Sequence, residues 1–398
     1  MFLRHLSLTN FRNYRHLELE LPPHLVVIQG DNAQGKTNLL EAIHMLATTK
    51  SHRTPNDREL IHQLAAAENQ PVTRLVSEVQ RARDQIKVEI ALRLERAELS
   101  TAAGTTAIPS SASTPSILVR KRIRVNGIVR RAIDLVGQIN VVIFSAQDID
   151  LITGIPALCR RYLDLVNSQI DSRYLRSLQR YHRVLLQRNH LLHLLQERQA
   201  QPEQLEFWDK ELVENGSYLI MQRYHLVAAL NELAPEIHRE LSAGTERLKI
   251  VYLPSVNKEG EWQLGEIELK FRQALHQARG KEISQGMTLF GPHRDNLRFQ
   301  VNEADMSAYG SRGQQRTIAL SLKLAEAKHI HTVVGDPPIL LLDDVLSELD
   351  QRRRQHLLEA VIPFQQVLIT TTDLDRFEPS FLAQTTRFRV SQGNIEKV

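Results

Sequence analysis

A single cysteine, Cys159, in 398 residues leaves no partner for an intramolecular disulfide and makes a cysteine-ligated zinc or iron–sulfur centre an unpromising reading. A reducing compartment, the cytoplasm, is the expected location. Aromatic residues reach only 5%, and no aromatic-rich strip offers a stacking platform for unpaired bases. No segment approaches the roughly 20 consecutive apolar residues of a membrane span. The best apolar run, Ile339 to Leu342, stops at Asp343 and Asp344. The first residues alternate charged and apolar side chains and carry no signal-peptide pattern. Neither charge dominates: 50 Lys and Arg against 46 Asp and Glu leave a net +4, a mildly basic balance compatible with a nucleic-acid partner. What is present, 42% hydrophobic and 24% charged residues, is ordinary for a folded chain. The length points to one large domain with an insertion, or to two domains.

Periodicity divides the chain into three stretches. In 1–150, Leu17, Leu19 and Leu21 alternate with Glu18 and Glu20, a half-buried strand. Leu25 to Ile28 form a continuous apolar run suited to a buried parallel strand, and Leu39, Leu40, Ile43 and Leu46 share a helix face. Strands are expected over 71–95, a hairpin around Asn126-Gly127, and a buried strand at NVVIF. The Ala/Ser/Thr/Pro-rich segment 97–117 reads as an exposed, mobile loop. From 151 to 285 the period is mainly helical, with a strand at RLKIVYL. From 286 to 398 strands and helices alternate again.

The residues that carry chemistry lie in the outer stretches. Gly30-Asp31-Asn32-Ala33-Gln34-Gly35-Lys36-Thr37 satisfies G-x-x-x-x-G-K-[ST] between a buried strand and a helix. Glycines let backbone N–H groups curl around phosphate oxygens, and the helix N-terminus adds partial positive charge. Lys36 is expected on the β- and γ-phosphates of ATP and Thr37 on Mg²⁺. Far downstream, Asp343 ends the apolar run Ile339–Leu342, where a Mg²⁺-organising carboxylate belongs, with Asp344 beside it to polarise a water. A second Gly/Ser-rich loop, Tyr309 to Thr317, opens onto another helix. One nucleotide rarely needs two such loops within one chain, so a nucleotide held between two subunits is the natural use. The plainer alternative is a capping turn built on Ser311 or Thr317.

Ser311-x-Gly313-Gln314 is similar to the signature of ABC-type ATPases, Asp343-Asp344 to their D-E pair, and Ser347 to Asp350 to their D-loop. LTNFRNY, GDNAQGKTNLLEAI, RVNGIVRR, VVIFSAQD, MTLFGPHRDNL, YGSRGQQRT and LLLDDVLSELD, in this order, resemble the RecF family of bacterial recombination mediators over nearly the whole chain. The resemblance implies an α/β fold: an ABC-type P-loop ATPase head with a mixed sheet, akin to SMC heads, carrying an inserted α-helical lobe. The head then comprises 1–150 and 286–398, and the lobe 151–285. It implies ATP-dependent homodimerisation on DNA, slow hydrolysis used as a switch, and cooperation with RecO and RecR in loading RecA at single-strand gaps. Ser311, Gly313 and Gln314 would then touch the γ-phosphate bound by the other subunit. Asp350 would couple the two sites, and Gln147 would stand near Mg²⁺. Two departures from the ABC pattern point to slow turnover: Asp344 replaces a longer catalytic Glu, and Thr372 stands where a switch His is usual.

Phosphate neutralisation on DNA needs clustered Arg and Lys. At about 100° per residue, Arg173, Arg176, Arg180 and Arg183 line one helix face, apart from the apolar stripe through Tyr174, Leu178 and Tyr181. The hairpin adds Lys121, Arg122, Arg124, Arg130 and Arg131, and the stretch after Asp350 adds Arg352, Arg353 and Arg354. A solvated basic face is the plainer reading of each run. His190 and His193 read as surface residues, Cys159 as a buried inert thiol, and His293-Arg294-Asp295 has no chemical assignment. The reading favoured is an ATP-gated DNA clamp. Its rivals are a transporter ATPase, disfavoured by the about 280 residues between the two loops, an SMC-like structural protein, and a nuclease fused to an ATPase head.

Overall fold

The computed structural model describes residues 1–66, 72–96, 117–242, 244, 246–256 and 262–398. Of the segment expected as a loop, 97–116 lies outside the described residues, and Ile117 begins a strand. In chain order the first strands are β1 (Phe2–Phe11), β2 (Tyr14–Glu20), β3 (His24–Gln29), β4 (Val72–Gln80), β5 (Gln85–Arg96), β6 (Ile117–Val125), β7 (Ile128–Arg130) and β8 (Val141–Ser145). Then come β9 (Leu248–Leu253), β10 (Asn296–Val301), β11 (Ala304–Asp305), β12 (Ile339–Asp343), β13 (Gln366–Thr371), β14 (Thr385–Ser391) and β15 (Asn394–Lys397).

Compactness groups the chain differently from its periodicity. One unit holds 1–135, 341–347 and 365–398; the other holds 136–340 and 348–364. Gln147, the loop around Ser311 and Asp350 thus fall with the helices, in the second unit.

The first unit contains an antiparallel sheet ordered β2-β1-β4-β5-β6-β7. Its strands alternate as the sequence does: Leu17 and Leu19 are buried while Glu18 and Glu20 face water. The β6–β7 turn places Asn126 and Gly127 at φ 50° and 81°, the left-handed conformations the dipeptide tolerates. In the second sheet β3 runs parallel to both β13 and β14, and β15 closes the edge antiparallel to β14. Leu25 to Ile28 are buried, as a strand flanked on both edges and both faces requires. The helix α1 (Lys36–Thr48) leaves β3 and packs against β4 and β5 on one side and β13 on the other. Contact on both sides explains why it is buried almost all round and not along one stripe.

The second unit is built on helices Ser172–Gln196, Leu205–Leu241, Leu264–Gln285 and Arg312–Val334, with a three-stranded sheet β11-β10-β9. Tyr174, Tyr181, Leu212, Leu219, Phe271 and Leu275 form its core. Two fully buried arginines tie the core together. Arg188 donates to Asp209 at 2.7 Å, Thr288 at 2.8 Å and Glu282 at 2.7 Å. Arg223 donates to Asp164 at 2.8 Å, Asp295 at 2.9 Å and the Pro292 carbonyl at 2.6 Å. Asp295 also accepts from the Ser255 N–H and the Tyr252 hydroxyl. His293 Nδ1 meets the Tyr181 hydroxyl at 2.6 Å, and burial pushes its pKa down to about 4, so the ring is neutral. The GPHRD segment is therefore a structural knot. Among the described residues, none of its buried side-chain polar atoms lacks a partner.

Candidate functional site

The carboxyl ends of β3, β12 and β13 converge in the first unit, where open α/β sheets place ligand sites. Residues 30–37 form the loop from β3 to α1. Asp31, Asn32 and Ala33 are exposed at its crest, and Ala33 sits at φ 64°. Gly35 has φ 121°, and a Cβ there would lie 2.6 Å from Asn13 Nδ2 and 2.9 Å from the Tyr14 hydroxyl. An L-residue there would be strained in its backbone and would push those two side chains off the loop. Gly35 is also the N-cap of α1 and supplies no side-chain cap, so the first N–H groups of the helix face the loop with no side chain on them.

The loop is braced from three directions. Asn13 Nδ2 donates to the Gln34 carbonyl at 2.8 Å, and the Tyr14 hydroxyl donates to the Gly35 carbonyl at 3.0 Å. The β14–β15 turn gives the Gln392 N–H to Gln34 Oε1 at 2.6 Å and the Gly393 N–H to the Gln34 carbonyl at 3.2 Å. Behind α1, Glu41 is buried and receives Arg12 through two nitrogens, at 2.9 and 2.7 Å, and Ser51 at 2.5 Å. Burial pushes the Glu41 carboxyl up. The Arg12 and Ser51 hydrogen bonds and the charges of Arg12 and Arg53 outweigh it, and the carboxyl lies below the usual range.

Lys36 Nζ donates to the carbonyls of Gly30 at 2.6 Å and Asp31 at 2.8 Å. Burial lowers its pKa against the opposing pull of Asp344, Asp343 and Asp31. Thr37 Oγ1 donates to Asp343 Oδ1 at 2.9 Å across 306 positions of sequence. Thr370 Oγ1 reaches the same oxygen at 2.9 Å and accepts the Asp344 N–H at 3.0 Å. Burial raises the Asp343 pKa, and the two threonine hydroxyls hold it back. Asp344 follows at φ 50°.

The structure thus brings together Lys36, Thr37, Asp343 and Asp344. Hard oxygen ligands, the Thr37 hydroxyl and the Asp343 carboxylate, suit Mg²⁺, and a glycine-bearing loop at a helix N-terminus without a side-chain cap, with a lysine, suits a polyphosphate. The sequence puts Thr372 where a switch His is usual, so that a γ-phosphate sensor is missing there. It is Thr370, two residues earlier in ITTTD, that touches Asp343. Asn13 and Tyr14 belong to LTNFRNY, quoted above for its resemblance and not for bracing the loop.

In the second unit, Ser311 caps helix Arg312–Val334. Its Oγ accepts the Gln314 N–H at 3.3 Å while Gln314 Oε1 accepts the Ser311 N–H at 3.0 Å. The capping alternative is met by Ser311; Thr317 instead bonds back to the Gly313 carbonyl. A Cβ on Gly313 would sit 3.5 Å from Arg353 Nη1. Asp350 is exposed, caps helix Gln351–Val361 and pairs with Arg353 at 3.0 Å. Gln147 is exposed in the turn after β8.

Arg173, Arg176, Arg180 and Arg183 are all exposed on helix Ser172–Gln196, and His190 and His193 with them. Arg173 lies over the Tyr218 ring at 4.1 Å, and Arg180 pairs with Glu211 at 2.9 Å. The hairpin does not present its cations together. The two-residue period of β6 turns Arg120, Arg122 and Arg124 to one face, and sends Lys121 to the other, where it pairs with Asp57 at 2.9 Å. Cys159 is buried, and burial raises its thiol pKa, which fits an inert side chain. Among the described residues no helix is long and apolar enough to cross a membrane.

Comparison with known proteins extends these observations to the whole chain. Residues 2–395 match the RecF/RecN/SMC N-terminal domain family. A DNA replication and repair protein RecF of Herpetosiphon aurantiacus is 44% identical over 99% of both chains. The same-named protein of Halalkalibacterium halodurans is 40% identical over 100% of both. The structure of a recombination mediator protein RecF with ATP, from the RecFOR pathway, superposes with a TM-score of 0.85 at 30% identity, covering 100% of this chain and 97% of that one. An Smc head bound to part of ScpA shares the fold, with a TM-score of 0.53 at 13% identity, 100% of this chain and 97% of that one being covered. The architecture is therefore that of an ABC-type, SMC-like ATPase head, and the chain belongs to the RecF family of DNA replication and repair proteins.

Proposed function

We propose that this chain is an ATP-gated DNA clamp of recombinational repair, located in the cytoplasm. The observation that carries it is the Thr37–Asp343 contact at the mouth of an uncapped helix N-terminus. This is a divalent-cation and polyphosphate arrangement assembled from two distant parts of the chain. When bound, ATP with Mg²⁺ supplies a γ-phosphate that bridges two subunits and whose loss removes the bridge. Residues 30–37 would cradle the phosphates, Lys36 would supply positive charge to the β- and γ-oxygens, and Thr37 and Asp343 would hold the cation. Ser311, Gly313 and Gln314 of one copy would meet the nucleotide of the other, and Asp350 would couple the two sites. Asp344 orients water from a short side chain, so hydrolysis is slow and DNA-stimulated and serves as a switch.

DNA is held through its backbone by the exposed arginines of helix Ser172–Gln196, with Arg122 contributing from the hairpin. Lys121, paired with Asp57, supports the hairpin and not the phosphates. The site of action is a single-strand gap, with RecO and RecR as partners in loading RecA. Sedimentation velocity with a labelled gapped duplex tests the reading. A two-subunit complex on DNA is expected only with a non-hydrolysable ATP analogue, and it is lost in Lys36→Met and Ser311→Arg. A monomer that ignores both DNA and nucleotide would overturn the clamp.

A further inference from the structure

The signature loop is held by more than its own capping box. Gln314 Nε2 donates to Glu246 Oε1 at 2.9 Å, while its Oε1 accepts the Ser311 N–H. A carboxylate only accepts and an N–H only donates, so the amide of Gln314 has one orientation and not two. The second oxygen of Glu246 contacts His238 Nε2 at 2.9 Å. The His238 side chain is fully buried in the last turn of helix Leu205–Leu241. Its Nδ1 lies 3.3 Å from Ser321 Oγ, and that hydroxyl donates to the Thr317 carbonyl at 2.7 Å. A chain of contacts therefore runs from the cap Ser311 through Gln314 and Glu246 to His238, whose other face lies against the third turn of the same helix.

A capping box on an exposed helix end leaves the amide end of its glutamine to water and free to rotate. Here that end is tied to a residue 68 positions away, which is itself anchored by a buried ring. The loop this fixes is the one that, in the reading above, meets a triphosphate on a second copy. Its side-chain entropy is spent on folding and is not lost again on association. Arg353 Nη1, which pairs with Asp350 at 3.0 Å, would lie 3.5 Å from a Cβ on Gly313 and so places a cation beside the same loop.

We infer that Glu246 and His238 are positioning residues for the nucleotide-dependent dimer: they act through Gln314 to preorganise the Ser311–Gln314 loop toward the phosphates bound by a second copy of this chain. The inference rests on the signature reading proposed above, and the test separates the two. Dimerisation is measured by sedimentation velocity with a non-hydrolysable ATP analogue for wild type, Gln314→Ala, Glu246→Ala, Glu246→Gln and the Gln314→Ala/Glu246→Ala pair. Thermal unfolding of each variant confirms that it is folded. Glu246→Ala is expected to weaken dimerisation by about tenfold or more, the scale of a hydrogen bond to a charged group. Glu246→Gln keeps an acceptor for Gln314 Nε2 and is expected within about twofold of wild type. The double variant is expected to match Gln314→Ala alone, since Glu246 acts only through Gln314. Wild-type dimerisation in Glu246→Ala, equal loss in the Gln variant, or additive losses would each overturn the inference while leaving the signature reading in place. An unaffected Gln314→Ala would overturn both.

Discussion

Thr370→Val removes one hydroxyl from the cation side of the site and leaves the shape of the side chain almost unchanged. In the folded protein Asp343 Oδ1 receives two hydroxyls, from Thr37 and Thr370, each at 2.9 Å. With Thr37 turned to the cation, as proposed above, Thr370 would be the side chain left supporting the carboxylate. A hydrogen bond to a charged group contributes about 1.5–3 kcal/mol, and the same substitution strands the Asp344 N–H that Thr370 accepts. Binding of Mg²⁺ and ATP should therefore weaken about tenfold to a hundredfold. Burial already holds the Asp343 pKa above the usual carboxylate value, and losing the Thr370 bond moves it further up. The metal needs the ionised form, so the defect should be larger at the lower of two pH values, the one nearer the carboxylate range. The stability of the unliganded fold runs the other way. A carboxyl with a raised folded pKa costs stability as pH climbs from about 3.8, its ordinary value, through the folded value. Titrating a fluorescent ATP analogue with Mg²⁺ at both pH values, with Thr370→Ser as the rescue, measures the effect. Wild-type affinity in Thr370→Val at both pH values would refute the reasoning, and so would failure of the serine to restore it.

Two further perturbations follow from the charges. Arg12→Ala leaves Glu41 buried with Ser51 and the longer 3.5 Å contact to Arg53. Urea unfolding followed by circular dichroism should show a loss of about 3 kcal/mol. The Glu41 pKa is depressed in the fold, so its contribution is present above about 4.5 and disappears as pH falls through the folded value; the variant's loss should shrink correspondingly in acid. On the basic helix, Arg176→Ala and Arg183→Ala should each weaken binding to any duplex sequence alike, and each should flatten the logarithmic salt dependence by about one unit. An unchanged slope would remove that face from the DNA-binding surface.

The sequence was most legible where one local rule decides a structure. Alternation in LELEL gave a half-wet strand, Asn126-Gly127 gave the tight turn, and G-x-x-x-x-G-K-T gave the loop between β3 and α1. It was least legible where a contact joins residues with no local reason to meet. Nothing around Glu246 marks it as the acceptor for Gln314, and nothing in ITTTD distinguishes Thr370 from Thr372 until the register of β13 is known. Charge runs mislead for a related reason. Lys121 and Arg122 are neighbours in sequence, yet the pleat sends them to opposite faces. Arg188 and Arg223 read as two more cations among 50 basic residues, and both are buried among carboxylates in the core of the helical unit.

The short carboxylate at position 344 has a backbone reason as well as a chemical consequence. Asp344 lies at φ 50°, in the left-handed region, where Cβ crowds the following carbonyl. Asp and Asn enter that region more readily than longer side chains, because a short polar group bonds locally. Here the strain is offset by contacts on both sides: the Asp344 N–H is taken by Thr370, and its carbonyl accepts the Ser347 hydroxyl at 2.7 Å. The turn that follows β12 is thus locked by the strand that carries Thr370, and that same threonine steadies Asp343. One hydroxyl thus joins Asp343, the proposed cation ligand, to the backbone of the neighbouring carboxylate. A short carboxylate held in this turn suits the slow hydrolysis proposed above.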